Sequence, residues 1–154
     1  MASRLIGRQA VVVGAGMAGL SAARILADCF EHVTVLERDI LPEDARHRSG
    51  TPQSKHVHAL LGGGQRALGD PAFEEDLVTA GAVPLRVGLD VRIEMPGYDP
   101  FPQRDLGWIS YSMSRPLIEL AVRQRVAQYA NIAVARVAAF KSLRQRRVGR
   151  PSPQ

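Results

Sequence analysis

A single cysteine, Cys29, stands among 154 residues. With no second thiol to pair with, a cross-linked scaffold is excluded, and a reducing cytoplasm is the expected compartment. Aromatic side chains make up only 5% of the chain, and the one tryptophan, Trp108, lies beside Ile109, where it reads as core rather than as a ligand platform. No apolar run reaches the roughly 18 to 20 residues that a membrane-spanning helix needs. The uncharged stretch Gln9 to Ala23 follows Arg4 and Arg8 in the manner of an export signal. However, Gly14, Gly16 and Gly19 would make a poor apolar helix there, and no cleavage site follows. A Ser-His-Asp order, paired catalytic carboxylates and a Cys-x-x-Cys pair are all missing, which disfavours nucleophilic hydrolysis. His56 and His58 form an H-x-H pair, but Cys29, His32 and His47 add no ligand at a recognisable spacing, so no metal site is expected.

Acid is missing from the end of the chain. Lys141 to Gln154 holds Lys141, Arg144, Arg146, Arg147 and Arg150 and no carboxylate side chain, so the net charge of +5 belongs to this stretch and residues 1 to 140 sum to zero. The high pI therefore belongs to the tail and says nothing about the surface of the body, and a basic nucleic-acid binder is the least favoured reading. The final stretch has neither hydrophobic period nor core residues and is expected to be a basic disordered tail, 141–154, behind a folded segment, 1–140. At 45% hydrophobic and 23% charged, that segment can bury a core without staples.

Within it, Gln9 to Val13 is a short apolar, β-branched run, the composition of a parallel strand covered on both faces. Met17 to Cys29 turns helical, and His32 to Glu37 is strand again. Strand, glycine turn, helix and strand within about thirty residues make a βαβ unit. Beyond Asp39 the prolines and glycines mark a polar connection. Val57 to Leu61 with Gly62-Gly63-Gly64 reads as a helix approach or a backbone site for a ligand. Short helices are expected at 65–68 and 73–80. Val87 to Met95 alternates apolar and polar residues as a half-wet strand, with a loop at 96–102 and a further short strand at 106–111. Ser114 is placed to cap a helix over 115–128, and a last strand is expected over 131–140.

The chemistry is concentrated in Gly14-Ala15-Gly16-Met17-Ala18-Gly19, a G-x-G-x-x-G run. It follows a strand and opens a helix, and Glu37 comes eighteen residues after Gly19 at the end of the second strand. Gly14 permits the tight turn, Gly16 lets the main chain approach a pyrophosphate, and Gly19 lets the helix pack close to the strand. The backbone N–H groups of the helix start, including those of Met17 and Ala18, then face the phosphates. Glu37 is suited to accept hydrogen bonds from an adenosine ribose, and its charge repels a 2′-phosphate. This points to FAD or NAD rather than NADP as the ligand, without separating the first two.

Three blocks stand out: Val11 to Ala23, Val33 to Asp39, and Arg48-Ser49-Gly50-Thr51-Pro52-Gln53-Ser54-Lys55-His56-Val57-His58-Ala59-Leu60-Leu61. Together they resemble the amino-terminal part of FAD-dependent monooxygenases, and among these the actinobacterial group that includes the flavin-dependent polyene epoxidases of polyether biosynthesis. The likeness continues through Ala80 to Pro84, Gly107-Trp108 and Ser114 to Glu119, and covers roughly residues 8 to 135. It implies an α/β fold: a Rossmann-like FAD/NAD(P)-binding βαβ domain with a mostly parallel sheet, incomplete, because the family's later flavin motif and substrate domain are not in this sequence. A truncated or frame-shifted product would account for that and for the arginine-rich ending.

The same resemblance implies FAD at Gly14, Gly16 and Gly19, the adenosine ribose at Glu37, and Arg38 near the adenine. It also places Arg48 and Arg115 near the phosphates or the ribityl chain. The surrounding loop, with His56 and His58, would lie beside the flavin. In that family NAD(P)H is the reductant, O₂ the oxygen source and a small organic substrate the acceptor, with epoxidation or hydroxylation as the outcome. No side chain here is expected to act as acid or base, so none is nominated as catalytic. A non-catalytic remnant and an NAD-dependent dehydrogenase domain are the alternatives.

Overall fold

The computed structural model describes residues 5–68 and 71–138. The expected 141–154 tail and the last two residues of the strand expected over 131–140 lie outside them.

The βαβ unit forms as the pattern requires. Strand β1 (Gly7–Val13) runs through a glycine turn into helix α1 (Met17–Ala27), and strand β2 (Phe30–Glu37) returns parallel to β1, with Val12 opposite Val35. Strand β6 (Ile132–Arg136) pairs in parallel with the far edge of β2, giving the order β1-β2-β6. This sheet buries one face. Ala10, Val12, Val33 and Val35 turn toward Leu20 and Ala23 of α1, which packs in turn on helix α4 (Arg115–Val126), whose Ile118, Ala121 and Val122 belong to the same core. These buried branched side chains supply most of the drive to close the layer, roughly 1.5 to 3 kcal/mol for each one fully removed from water.

The opposite face differs from expectation. Val11 and Val13 are each 54% exposed, so β1 is covered on one face and not on both. Among the described residues no helix lies over that side. The all-apolar run signalled a parallel strand correctly, but composition cannot say whether a second layer is there to cover it.

The structure also contains a second, antiparallel sheet, whose three strands carry no pattern that marks them as a unit. Strand β3 (Val57–Leu60) and strand β4 (Val83–Arg86) flank strand β5 (Ile109–Ser114), with Ala59 opposite Ser112 and Leu85 opposite Ser110. Helices α2 (Gly62–Leu68) and α3 (Pro71–Thr79) lie between β3 and β4 in the chain. Phe73 and Leu77 of α3 are buried with Leu60, Tyr111 and Met113, and the Tyr111 hydroxyl donates to Glu74 at 3.0 Å.

Two expectations need correction here. The strand expected over Val87 to Met95 is absent. Residues 87–90 form a turn in which Gly88 has φ +94° and the Leu89 and Asp90 amides donate to the Arg86 carbonyl. The Asp90 carboxylate accepts from the Arg86 amide at 2.7 Å and from its guanidinium at 2.9 Å, which fixes the reversal. The strand lies before this turn, at Val83–Arg86, where Pro84 hid it. Proline is compatible with a ladder only at an edge, and β4 is an edge strand. The strand expected at 106–111 is shifted to Ile109–Ser114.

Candidate functional site: a glycine-lined cleft at the start of α1

The end of β1 and the start of α1 form one wall of a cleft of about 690 Å³, within the range of small-molecule sites. It is lined by Gly14, Gly16, Met17, Ala18, Gly19, Glu37, Arg38, Arg48 and Arg115, so nine of the ten candidate residues share one concavity. Gly50, Thr51, Gln53 and Glu119 complete much of the remaining wall. Ala15 is the exception. It is buried behind the turn, and its amide donates to Glu37 Oε2 at 2.6 Å.

Each glycine has a separate structural reason. Gly14 adopts φ +94°, a backbone region open to glycine and strained for L side chains. A Cβ on Gly19 would stand 1.8 Å from the Gly14 carbonyl oxygen, so α1 seats against the turn only because that atom is missing. At Gly16 the space beside the main chain is open, and the nearest group to a Cβ there would be Arg48 Nη2 at 3.8 Å. Replacing Gly19 with alanine is expected to destabilise the fold by about 1 to 3 kcal/mol, the usual cost of forcing extra volume into a packed site. Urea unfolding checks this, and an unchanged midpoint would contradict the close approach.

The first turn of α1 carries no acidic residue, and Gly16 at its N-cap supplies no side-chain acceptor. Its leading amides are therefore not capped by a side chain and open on the cleft with the positive end of the helix dipole.

Glu37 is buried at the end of β2. Its Oε1 accepts from the Arg38 and Asp39 amides at 2.8 and 2.9 Å, and its Oε2 accepts from Ala15. A carboxylate has about four lone-pair sites, so three amide bonds leave room for one more donor, such as a sugar hydroxyl. Burial pushes the Glu37 carboxyl up. The Asp39 and Ala15 amides, the Arg48 charge and the Arg38 amide outweigh that and hold it below its ordinary value.

Arg48 reaches in from the connection after β2 and is the electrostatic centre of the site. Its Nη1 donates to Asp39 Oδ2 at 2.9 Å and lies 3.7 Å from Glu37 Oε2, while its Nε donates to Glu119 Oε2 at 3.2 Å. All four side chains are at most 9% exposed. Burial lowers the Arg48 pKa. The Asp39 hydrogen bond, the charges of Glu119 and Glu37 and the Glu119 bond reverse this and leave it above its ordinary value. Asp39 is also pushed up by burial, yet lies below its ordinary value because the Gly50 amide and Arg48 bind its charged form. Arg115 Nε donates to Glu119 Oε1 at 3.0 Å, and Arg38 is largely exposed at the rim.

Asp39 and Glu119 were not singled out by the sequence reading. Asp39 lies two residues after the ribose-type acid, and Glu119 lies one turn beyond Arg115; only the fold brings both onto Arg48. His56 and His58 do not line the cleft. The His58 Nδ1–H donates to the His56 carbonyl at 2.7 Å, which ties the ring to the main chain at the start of β3.

A family model described as FAD dependent oxidoreductase matches residues 9–148, and the chain belongs to that family. A Mycobacterium tuberculosis protein named Rv3254 is 37% identical over 132 residues, which is 82% of this chain and 28% of that one. The chain thus spans under a third of the length of this curated relative. Among solved structures, a variant of 2-methyl-3-hydroxypyridine-5-carboxylic acid oxygenase superposes with a TM-score of 0.55 at 21% identity, covering 83% of this chain and 31% of that one. The tetrameric form of the same oxygenase gives 0.51 at 20% identity, covering 84% and 32%. At this identity the likeness shows the fold. In class the molecule is a mixed α/β FAD-binding fold of the oxidoreductase type, with the glycine turn on a three-stranded parallel sheet.

Proposed function

We propose that residues 1–140 are the FAD-binding segment of a flavin-dependent monooxygenase, and that the cleft at the start of α1 takes the diphosphate and adenosine half of the cofactor. The observation that carries this reading is the convergence of uncapped helix amides, an open Gly16, Glu37 and two arginines on one cleft.

In this reading the amides of Gly16, Met17 and Ala18 donate to the diphosphate. Glu37 accepts a ribose hydroxyl on its remaining lone pair, Arg38 lies over the adenine side, and Arg48 and Arg115 supply positive charge to the phosphates. Bound flavin supplies the redox chemistry, with NAD(P)H as reductant and O₂ as the source of the oxygen atom placed on a small organic substrate as an epoxide or hydroxyl group. The chain's own residues bind and orient the nucleotide. The monooxygenase assignment draws support from the solved oxygenases that share this fold.

Titrating the purified chain with FAD, ADP, NAD and riboflavin tests the proposal. FAD and ADP are expected to bind, each with adenosine and a diphosphate to offer, and riboflavin to bind at least tenfold more weakly, since losing the charge-assisted phosphate contacts costs about that much or more. Binding of riboflavin as tight as that of FAD would overturn the assignment of the cleft. Tight NAD binding without FAD binding would favour a dehydrogenase domain instead.

A further inference from the structure

We infer that Glu119 is a positioning residue for the diphosphate, acting through Arg48 and Arg115, an assignment that rests on the proposed nucleotide cleft and goes beyond it. Glu119 is a buried charged group on the core side of α4, where a carboxylate without a purpose would be costly. Its two oxygens are divided between two guanidinium groups, Oε2 taking Arg48 Nε at 3.2 Å and Oε1 taking Arg115 Nε at 3.0 Å. Both arginines are held by the inner nitrogen. For Arg48 this leaves Nη1 on Asp39 and turns Nη2 toward Gly16, the place where the main chain is open to a ligand.

The same helix face secures the loop that carries Arg48. Arg123, one turn beyond Glu119, donates from Nη2 to the Pro42 carbonyl. Arg115, Glu119 and Arg123 are spaced at i, i+4 and i+8, so α4 presents cation, anion and cation in a line along one side. Glu119 separates charges that would otherwise repel. Burial and the Arg48 charge push the Arg123 pKa down, and the Glu119 charge opposes them.

Two effects compete when Glu119 loses its charge. The cleft becomes more positive, which favours phosphate, and the arginines lose the anchor that aims them. Hydrogen bonds to phosphate weaken steeply with distance and angle, so the loss of aim dominates.

The test is calorimetric titration of the full chain with ADP and with adenosine, in the wild type and in Glu119→Gln and Glu119→Asp. Exchange of the arginine Nε–H protons is followed by NMR without ligand. Glu119→Gln is expected to weaken ADP binding about tenfold while leaving adenosine unchanged, since only the diphosphate contacts are lost. In the ligand-free protein the Arg48 and Arg115 Nε–H protons are expected to exchange faster. Glu119→Asp keeps the charge and is expected to fall between the two; it decides the matter by the same criteria if the glutamine variant does not fold. ADP binding that is unchanged or tighter in a folded variant overturns the inference and leaves the cleft assignment standing. A wild type that binds neither ADP nor FAD overturns both.

Discussion

Arg48→Ala is expected to lower stability by about 3 to 5 kcal/mol at neutral pH, the usual cost of removing one partner from a buried ion pair. The cause is specific. Glu37, Asp39 and Glu119 are all at most 9% exposed and all lie within 4 Å of the guanidinium, so the variant leaves a cluster of buried carboxylates without their common counter-charge. Lysine is expected to recover only part of the loss. An ammonium is a point charge and cannot place one donor on Asp39 and another on Glu119 from two edges of a plane.

The pH dependence follows from the directions of the shifts. Glu37 and Asp39 lie below their ordinary values in the folded protein, so their contribution is complete above the unfolded carboxylate range and is lost as pH falls through the lowered folded values. In the variant the backbone amides still favour the charged forms, but the part of the lowering that Arg48 supplies is gone, so both groups lie higher than in the wild type. The gap between wild type and variant is therefore widest near neutrality and narrows toward about pH 4, near the ordinary carboxylate range. Urea unfolding across this range checks it; a gap independent of pH would show that the loss is packing alone.

Glu37→Gln carries the second large effect. The variant side chain has one acceptor oxygen where the carboxylate uses two, one on Ala15 and one on the Arg38 and Asp39 amides. Whichever way the amide turns, its NH₂ meets a backbone donor, and about 1 to 3 kcal/mol is lost for the buried group left unsatisfied. Arg48 loses one of its anionic neighbours at the same time. The acid limb of the stability profile is expected to flatten, because the depressed carboxyl that produced part of it is gone. In binding, the variant is expected to weaken for ADP-ribose and to lose part of its rejection of the 2′-phosphorylated form. Equal rejection by both proteins would remove Glu37 from the role of ribose reader.

What could be read from the sequence was local. The glycine run and Glu37 act over one βαβ unit, where backbone conformation, helix start and strand end are all fixed by residues close in the chain. The Ser114 cap was legible for the same reason, and its side chain accepts from the Leu117 amide at 3.3 Å. Arg48 entered through family likeness, but its bond to Glu119 spans 71 positions and has no sequence period. The false strand at 87–95 shows the converse error. Its alternation is real, yet Ile93 and Met95 are about half exposed, because the Gly88 turn carries that stretch away from the core. Pattern reports which side chains prefer burial and not whether the fold offers it.

The most direct measurement is a crystal structure of the chain soaked with FAD. The account predicts the diphosphate within hydrogen-bond distance of the Gly16, Met17 and Ala18 amides, with a ribose hydroxyl on Glu37 and Arg48 turned to a phosphate oxygen. A cleft that stays empty at saturating FAD, or is filled by the chain's own side chains while the nucleotide sits elsewhere, would contradict it.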